Sequence, residues 1–380
     1  MHKLYTALVI LLALIILCFS CAGAESTVSV ADLSKYGNLI LSVSGSEFLA
    51  MGYAYGDVIT VKLGDMSIDM PVCTDYTDVA AGESVCRVEI DPEAGEDNVA
   101  LALNAANLAQ AAGIAQKITI EEEPGYRWEF AEGISLPLPV EISLKEAGGY
   151  YDEWMLHALS RSNLREDYPH LTDAEFANFR EITTSGMGSG KLYRSSSPIN
   201  PEIGRSSYAD AAAKEAGIAT IVNLADSISP LQSFLGHYGF CNVIGLNLSV
   251  DFAAPEFEAG LAKGFRFIIE NDGPYLIHCN EGKDRAGFTS AILECLMGAA
   301  VHEVLDDYMV TYYNYYGVEY GSAQYYAIAE GNLKKSLETA FDVGNLYAKG
   351  ISLSEEAHEY LIKNIGLTGD EIAALKSKLS

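Results

Sequence analysis

Apolar and polar positions alternate along the first part of this 380-residue chain, and near Lys145 the rhythm changes. From Glu25 to about Lys145 the period is close to two. Ile59, Val61 and Leu63 stand against Val58, Thr60 and Lys62, as a strand with two different faces requires. Gly45, Gly52, Gly56 and Gly64 separate neighbouring runs at turn-like positions. One stretch departs from this pattern: the alanine-rich segment Asn98 to Gln116, ending near Gly113, predicts a helix. Pro137, Pro139 and the pair Gly148-Gly149 then break the periodicity and mark a linker. Beyond them strands and helices alternate. Arg194 to Ser197 end one strand, Tyr208 to Ala216 form a helix stopped by Gly217, and Ile218 to Leu224 are a continuous run suited to a buried strand. Val243 to Leu248 read as a strand, Glu256 to Asn271 as a helix and Tyr275 to His278 as a further strand. The pattern predicts an α/β fold, a central sheet flanked by helices over residues 150–380, preceded by a smaller β-rich domain over 25–145.

Residues 1–24 stand apart. Lys3 precedes an apolar run from Ala7 to Phe19 that ends in Cys21-Ala22-Gly23-Ala24, a basic start, a short apolar centre and a small-residue cleavage site. They read as a signal peptide and imply a secreted or cell-envelope protein. Lipoprotein processing at Cys21 and an uncleaved anchor are the alternatives, and membrane contact is expected only with lipidation at Cys21. Charge narrows the partners. With 24 basic and 52 acidic residues the net charge is −28, which opposes approach to nucleic acid or an anionic membrane surface. Of the seven cysteines, Cys18 and Cys21 fall in the leader, and Cys241 and Cys295 lie in apolar settings. Cys73 and Cys86 bracket a loop rich in Asp, Thr and Gly, as a disulfide or as two buried thiols. No Cys/His cluster has metal-ligand spacing, so neither a metal nor another cofactor is expected. The β-rich part shows no catalytic constellation and reads as a brace.

Candidate chemistry concentrates in HCNEGKDRAG, His278 to Gly287, between the run Pro274 to Ile277 and a helix. The Cys279-to-Arg285 spacing lets one loop wrap a phosphate dianion with the backbone N–H groups of Asn280, Glu281, Gly282, Lys283 and Asp284, and the next helix adds its positive end. Arg285 closes the cradle with a planar fork. In that field the Cys279 thiol is expected to ionise below its free value and to act as a nucleophile. His278 reads as a supporting residue that hydrogen-bonds within the loop. Lys283 could meet a second phosphate or headgroup, and the tyrosine-rich segment Asp307 to Tyr320 either walls the cleft or packs as a helix.

HCNEGKDRAG resembles the signature loop of the cysteine-dependent phosphatases, and GKDR in particular resembles bacterial tyrosine phosphatases that also act on phosphoinositides, as well as phytase-like enzymes. KLYRSSSP (Lys191 to Pro198), GIATIVNLADS (Gly217 to Ser227) and Ser354 to Leu379 are similar to further landmarks of that family. The resemblance implies a phosphatase that hydrolyses phosphate monoesters through a phosphocysteine on Cys279, and the leader adds that it is exported. Its substrates would be a phosphorylated small molecule, a lipid headgroup or a phosphopeptide. The leaving oxygen then needs an acid. Asp251, 28 residues before Cys279 and ahead of Pro255, is the first choice, because it resembles the movable acid loop of dual-specificity members. Asp284, inside the loop, resembles the acid of some lipid-directed relatives, and Asp226 in NLADS is a third candidate. Ala286 stands where the family usually carries Ser or Thr, a hydroxyl that helps expel the thiolate. That departure motivates the alternative of a pseudophosphatase that binds phosphorylated ligands with little turnover.

Overall fold

A computed structural model describes residues 26–91, 95–120, 125–227 and 236–380; the leader at 1–24 lies outside them. The first part closes into a barrel of β1 (Ser26–Leu33), β2 (Leu39–Leu41), β3 (Val58–Leu63), β4 (Met66–Cys73), β5 (Ser84–Asp91), β6 (Glu96–Leu103) and a last strand, Leu138–Glu146, in the order β1-β2-β6-β5-β4-β3 and back to β1 through the last strand. Ile59, Val61 and Leu63 point inward and are buried, while Lys62 is exposed. β7 (Ala115–Ile120) and β8 (Gly125–Phe130) form a separate hairpin, and the closing strand Leu138–Glu146 is β9.

The helix expected over Asn98 to Gln116 is not formed as such. Asn98 to Leu103 belong to β6, only Leu108–Ala111 is helical, and Ala115 opens β7. Val99 and Leu101 fill the barrel, whereas Ala102 packs outside it against Cys73, Val79 and Val85. Burial on both faces of the strand outweighs the helix preference of alanine. The same alternation decides the cysteine pair. β4 and β5 set Val72 beside Cys86 and Cys73 beside Arg87, so Cys86 faces the barrel interior and Cys73 the outside, and both are free thiols.

Helix α1 (Tyr151–His157) covers this outer patch. The Tyr150 hydroxyl donates to the Asp78 carbonyl at 3.1 Å, and Trp154 stacks on Tyr55 and donates to the Thr74 hydroxyl at 3.3 Å. The barrel also touches the second part directly: Ala81 N–H donates to the Gly331 carbonyl at 3.0 Å. These contacts hold the 74–82 turn of the barrel beside the second sheet.

That sheet has the order β10 (Arg180–Glu181), β11 (Leu192–Ser195), β14 (Tyr275–His278), β12 (Thr220–Asn223), β13 (Asn242–Gly245), parallel except for the first pair. Its middle strand, β14, is buried at every position, as its unbroken apolar run requires. Helices α2 (Ser206–Glu215) and α3 (Pro255–Glu270) make crossovers, and β14 leads into α4 (Asp284–Met297). α4 is buried all round, enclosed by α5 (Val301–Tyr316), α6 (Leu353–Lys363) and α7 (Gly369–Leu379). No helix among the described residues is long and apolar enough to cross a membrane.

Candidate active site

The loop between β14 and α4 lies at the carboxyl end of the middle strand, where parallel sheets present ligand sites. Two glycines allow its path. Gly282 has φ +74°, and a Cβ there would lie 2.3 Å from the Ser195 carbonyl oxygen; a Cβ on Gly287 would meet the Tyr308 ring at 2.7 Å. Every carbonyl from Cys279 to Lys283 accepts a hydrogen bond from the surrounding scaffold. The donors are His278 Nδ1 to Cys279 at 3.1 Å, Ser197 N–H to Asn280 at 2.8 Å, Asn178 Nδ2 to Glu281 at 3.1 Å, and Arg194 Nη2 to Gly282 at 2.7 Å and Lys283 at 3.3 Å. In a trans peptide the N–H points opposite to the carbonyl before it. Five carbonyls turned outward therefore turn the N–H groups of residues 280–284 toward the loop's interior, the arrangement that binds an anion. The α4 N-terminus adds its partial positive charge to the same place.

Arg194 and Asn178 are in turn fixed. Arg194 Nη1 donates to Asp307 on α5 at 2.8 Å, and Arg180 donates to Asp307 at 2.8 Å and to Asn178 Oδ1 at 2.8 Å. Asn178 takes φ +53° and also donates to Thr311. Glu294, fully buried near this cluster, has its pKa pushed well above the usual range by desolvation and by Asp307. None of these residues was singled out from the sequence. Arg194 carries a signal, a charged residue inside a strand of an apolar sheet; Asn178 lies remote from the loop and Asp307 remote from Arg194, and neither carries one.

His278 supports the loop from behind. Its Nδ1 faces the Cys279 carbonyl, which can only accept, so the neutral ring keeps its proton there, and Nε2 accepts from the Tyr238 hydroxyl at 3.1 Å. Asn223 Nδ2 donates to the same hydroxyl at 3.0 Å. Burial lowers the imidazole pKa to about 4. The ring touches the carbonyl of Cys279 and not its sulfur.

Cys279 opens into a cavity of about 300 Å³, which Asn280, Glu281, Lys283, Asp284 and Arg285 also line. Arg285 Nη1 donates to the Leu248 carbonyl at 3.0 Å, while its buried Nε has no partner among the described residues. Asp284 faces the cavity, its pKa raised by burial and by Glu281 and Asp75 against the pull of Lys283. Asp251 lies elsewhere: it lines a neighbouring cavity that shares Phe252, Ala81, Ala105 and Ser336 with the first, and its carboxylate accepts from Ala253 N–H at 3.3 Å. Burial raises its pKa also. Asp226 accepts from Asn223 Nδ2 at 3.1 Å and is not among the lining residues. The tyrosines of α5 divide: Tyr308 lines the cavity, but Tyr312 and Tyr315 are wholly buried, so Tyr312 is helix packing and not a surface for a substrate ring. The barrel is more than a brace, for Tyr36, Asn38, Asp75, Tyr76 and Thr77 form the cavity's opposite wall.

Residues 247–380 match the profile of the tyrosine phosphatase family. The matched stretch contains the whole loop and α4 to α7. The match supports a phosphatase reading of this stretch, and the barrel and the first strands of the sheet lie ahead of it. No curated relative matches the chain. Among solved structures, an uncharacterized conserved protein from Thermotoga maritima is similar at 17% identity and a TM-score of 0.23, over 31% of this chain and 35% of that one. The core catalytic domain of the PP-IP phosphatase SIW14 from S. cerevisiae, in complex with citrate, is similar at 19% identity and a TM-score of 0.27, over 43% of this chain and 91% of that one.

Proposed function

We propose that the protein hydrolyses phosphate monoesters in two steps through a phosphocysteine on Cys279. The observation that carries this reading is Cys279 in a cavity floored by a loop whose N–H groups face inward, with Arg285 beside it. In the first step the Cys279 thiolate attacks phosphorus, the ester P–O bond breaks, and the leaving oxygen takes the proton of Asp284. In the second, a water oxygen attacks phosphorus, its proton passes to the Asp284 carboxylate, the P–S bond breaks and phosphate leaves. Asp284 is assigned as the acid because it lines the cavity that holds Cys279, whereas Asp251 lines the neighbouring one. Tyr36, Tyr76 and Phe252 among the walls suit an aryl ester such as phosphotyrosine. The leader read at residues 1–24 supports an exported enzyme acting on esters outside the cytoplasm.

Assay of an aryl phosphate tests the reading: Cys279→Ser is expected to lose about a thousandfold or more in kcat, and Arg285→Lys to be severely impaired because the fork is lost. Undiminished activity in Cys279→Ser would end it. Ala286, buried in the first turn of α4, favours a second reading in which phosphate is bound but scarcely released. A burst of one product per enzyme followed by very slow turnover would support that reading, and steady turnover without a burst would remove it.

A further inference from the structure

Three carboxylates surround the Lys283 ammonium at 3.9 Å each, and one of them, Asp75, is supplied by the barrel. The lysine itself is buried, with the rings of Tyr312 and Tyr316 at 5.7 and 5.8 Å. Asp75 is fixed in place: its Oδ1 accepts from Thr77 N–H at 2.9 Å and the Thr77 hydroxyl at 2.6 Å, and its own N–H donates to Asp78 at 2.8 Å. Building on the phosphatase reading above, we infer that Asp75 is a specificity determinant: it admits esters with one phosphoryl group and rejects ligands carrying a second phosphate beside the first.

The charges in the cavity give the reason. Glu281 is engaged by Arg161, and Lys283 is shared between Asp75 and Asp284, so its charge is already answered and only Arg285 and the loop N–H groups are left for the reacting phosphate. A second phosphate in the same cavity meets the Asp75 carboxylate and finds no unmatched cation there. Burial opposes ionisation of Asp75, but Lys283 and the Thr77 hydrogen bonds outweigh it and hold the carboxyl below the usual range, so the barrier is present at neutral pH. In a partly desolvated cavity such a like-charge contact is weakly screened by salt.

The test uses full-length protein carrying Cys279→Ser, which binds without turnover, and calorimetric Kd values for inorganic phosphate and pyrophosphate. Asp75→Asn keeps an acceptor for the Thr77 cap and removes the charge; Asp75→Ser is the second variant should the first not fold. Each is expected to shift the pyrophosphate-to-phosphate affinity ratio about tenfold toward pyrophosphate. Asp69→Asn, which removes an exposed barrel carboxylate paired with Lys145, is expected to leave the ratio unchanged. Phosphate binding with the same ratio in the Asp75 variants, or an equal shift in Asp69→Asn, overturns the inference alone. Binding of neither ligand overturns the phosphate cradle and the inference together.

Discussion

The two candidate acids, Asp251 and Asp284, both have carboxyl pKa values raised by burial, and only position separates their roles. Asp284 shares the cavity of Cys279; Asp251 sits one cavity away. Asp284→Asn is therefore expected to lower kcat/KM, which reports the first step, by about 10²–10⁴-fold for an alkyl phosphate while largely sparing kcat/KM for p-nitrophenyl phosphate, whose leaving group needs no proton. Asp251→Asn should spare both, and the reverse pattern would transfer the role to Asp251. The pH profile follows from the sign of the shift. A raised pKa keeps Asp284 protonated to higher pH, so first-step rates on the alkyl ester fall as pH rises through it, and Asp284→Asn should flatten that alkaline limb. His278 gives a second pH effect, on stability. The unfolded ring takes up a proton below about 6.5, whereas the buried ring resists protonation down to about 4. Over that window the unfolded state binds more protons, so stability falls as pH falls, by up to about 3 kcal/mol. Denaturant unfolding of His278→Asn should show a less stable protein at pH 7 but a shallower decline between pH 6.5 and 4.

At the scale of elements, the site depends on strands and helices that hold the loop's carbonyls. Gly282 lies against β11 at the Ser195 carbonyl with a left-handed φ, so Gly282→Ala combines a backbone clash with conformational strain. A loss of more than about 2 kcal/mol is expected, with activity reduced in whatever fraction folds. Thermal unfolding that matches the parent protein would show that the loop tolerates another path. The loop was legible in the sequence because its demands are local: a glycine where the chain turns back, an arginine at the sixth position after the cysteine, a helix start. Strand β14 and helix α3 were legible for the same reason, since each satisfies its own periodicity. The supports were not. Asn178 and Arg194 meet the loop across gaps of about a hundred residues, Asp307 meets Arg194 across a similar gap, and no local pattern records such meetings. The stretch after Asn98 misled for a related reason. Its alanines favour a helix in isolation, but the barrel inside and Cys73, Val79 and Val85 outside bury both faces of a strand.

On the scale of the whole molecule, a barrel that reads from its sequence as a brace forms one wall of the cavity that holds Cys279, and its charge belongs to the field a ligand must cross. A net charge of −28 repels a phosphate dianion at long range, while the loop N–H groups and Arg285 attract it at contact. Salt acts unequally on these two effects. The far field is screened over about 10 Å at 0.1 M, whereas contacts inside a buried cavity lie well within that length and are screened far less. Raising ionic strength from about 0.02 M to about 0.2 M should therefore increase kcat/KM for phosphotyrosine, chiefly through a lower KM, until the repulsion is spent. The rise should be steeper for inositol hexakisphosphate, because each added negative charge meets the same field. At every salt concentration phosphotyrosine should remain the better substrate, since Asp75 acts at contact inside the cavity, where screening by added ions is weak. A fall in kcat/KM for both substrates over that range would mean that local attraction governs encounter, and that the acidic surface lies too far from the cavity mouth to be felt.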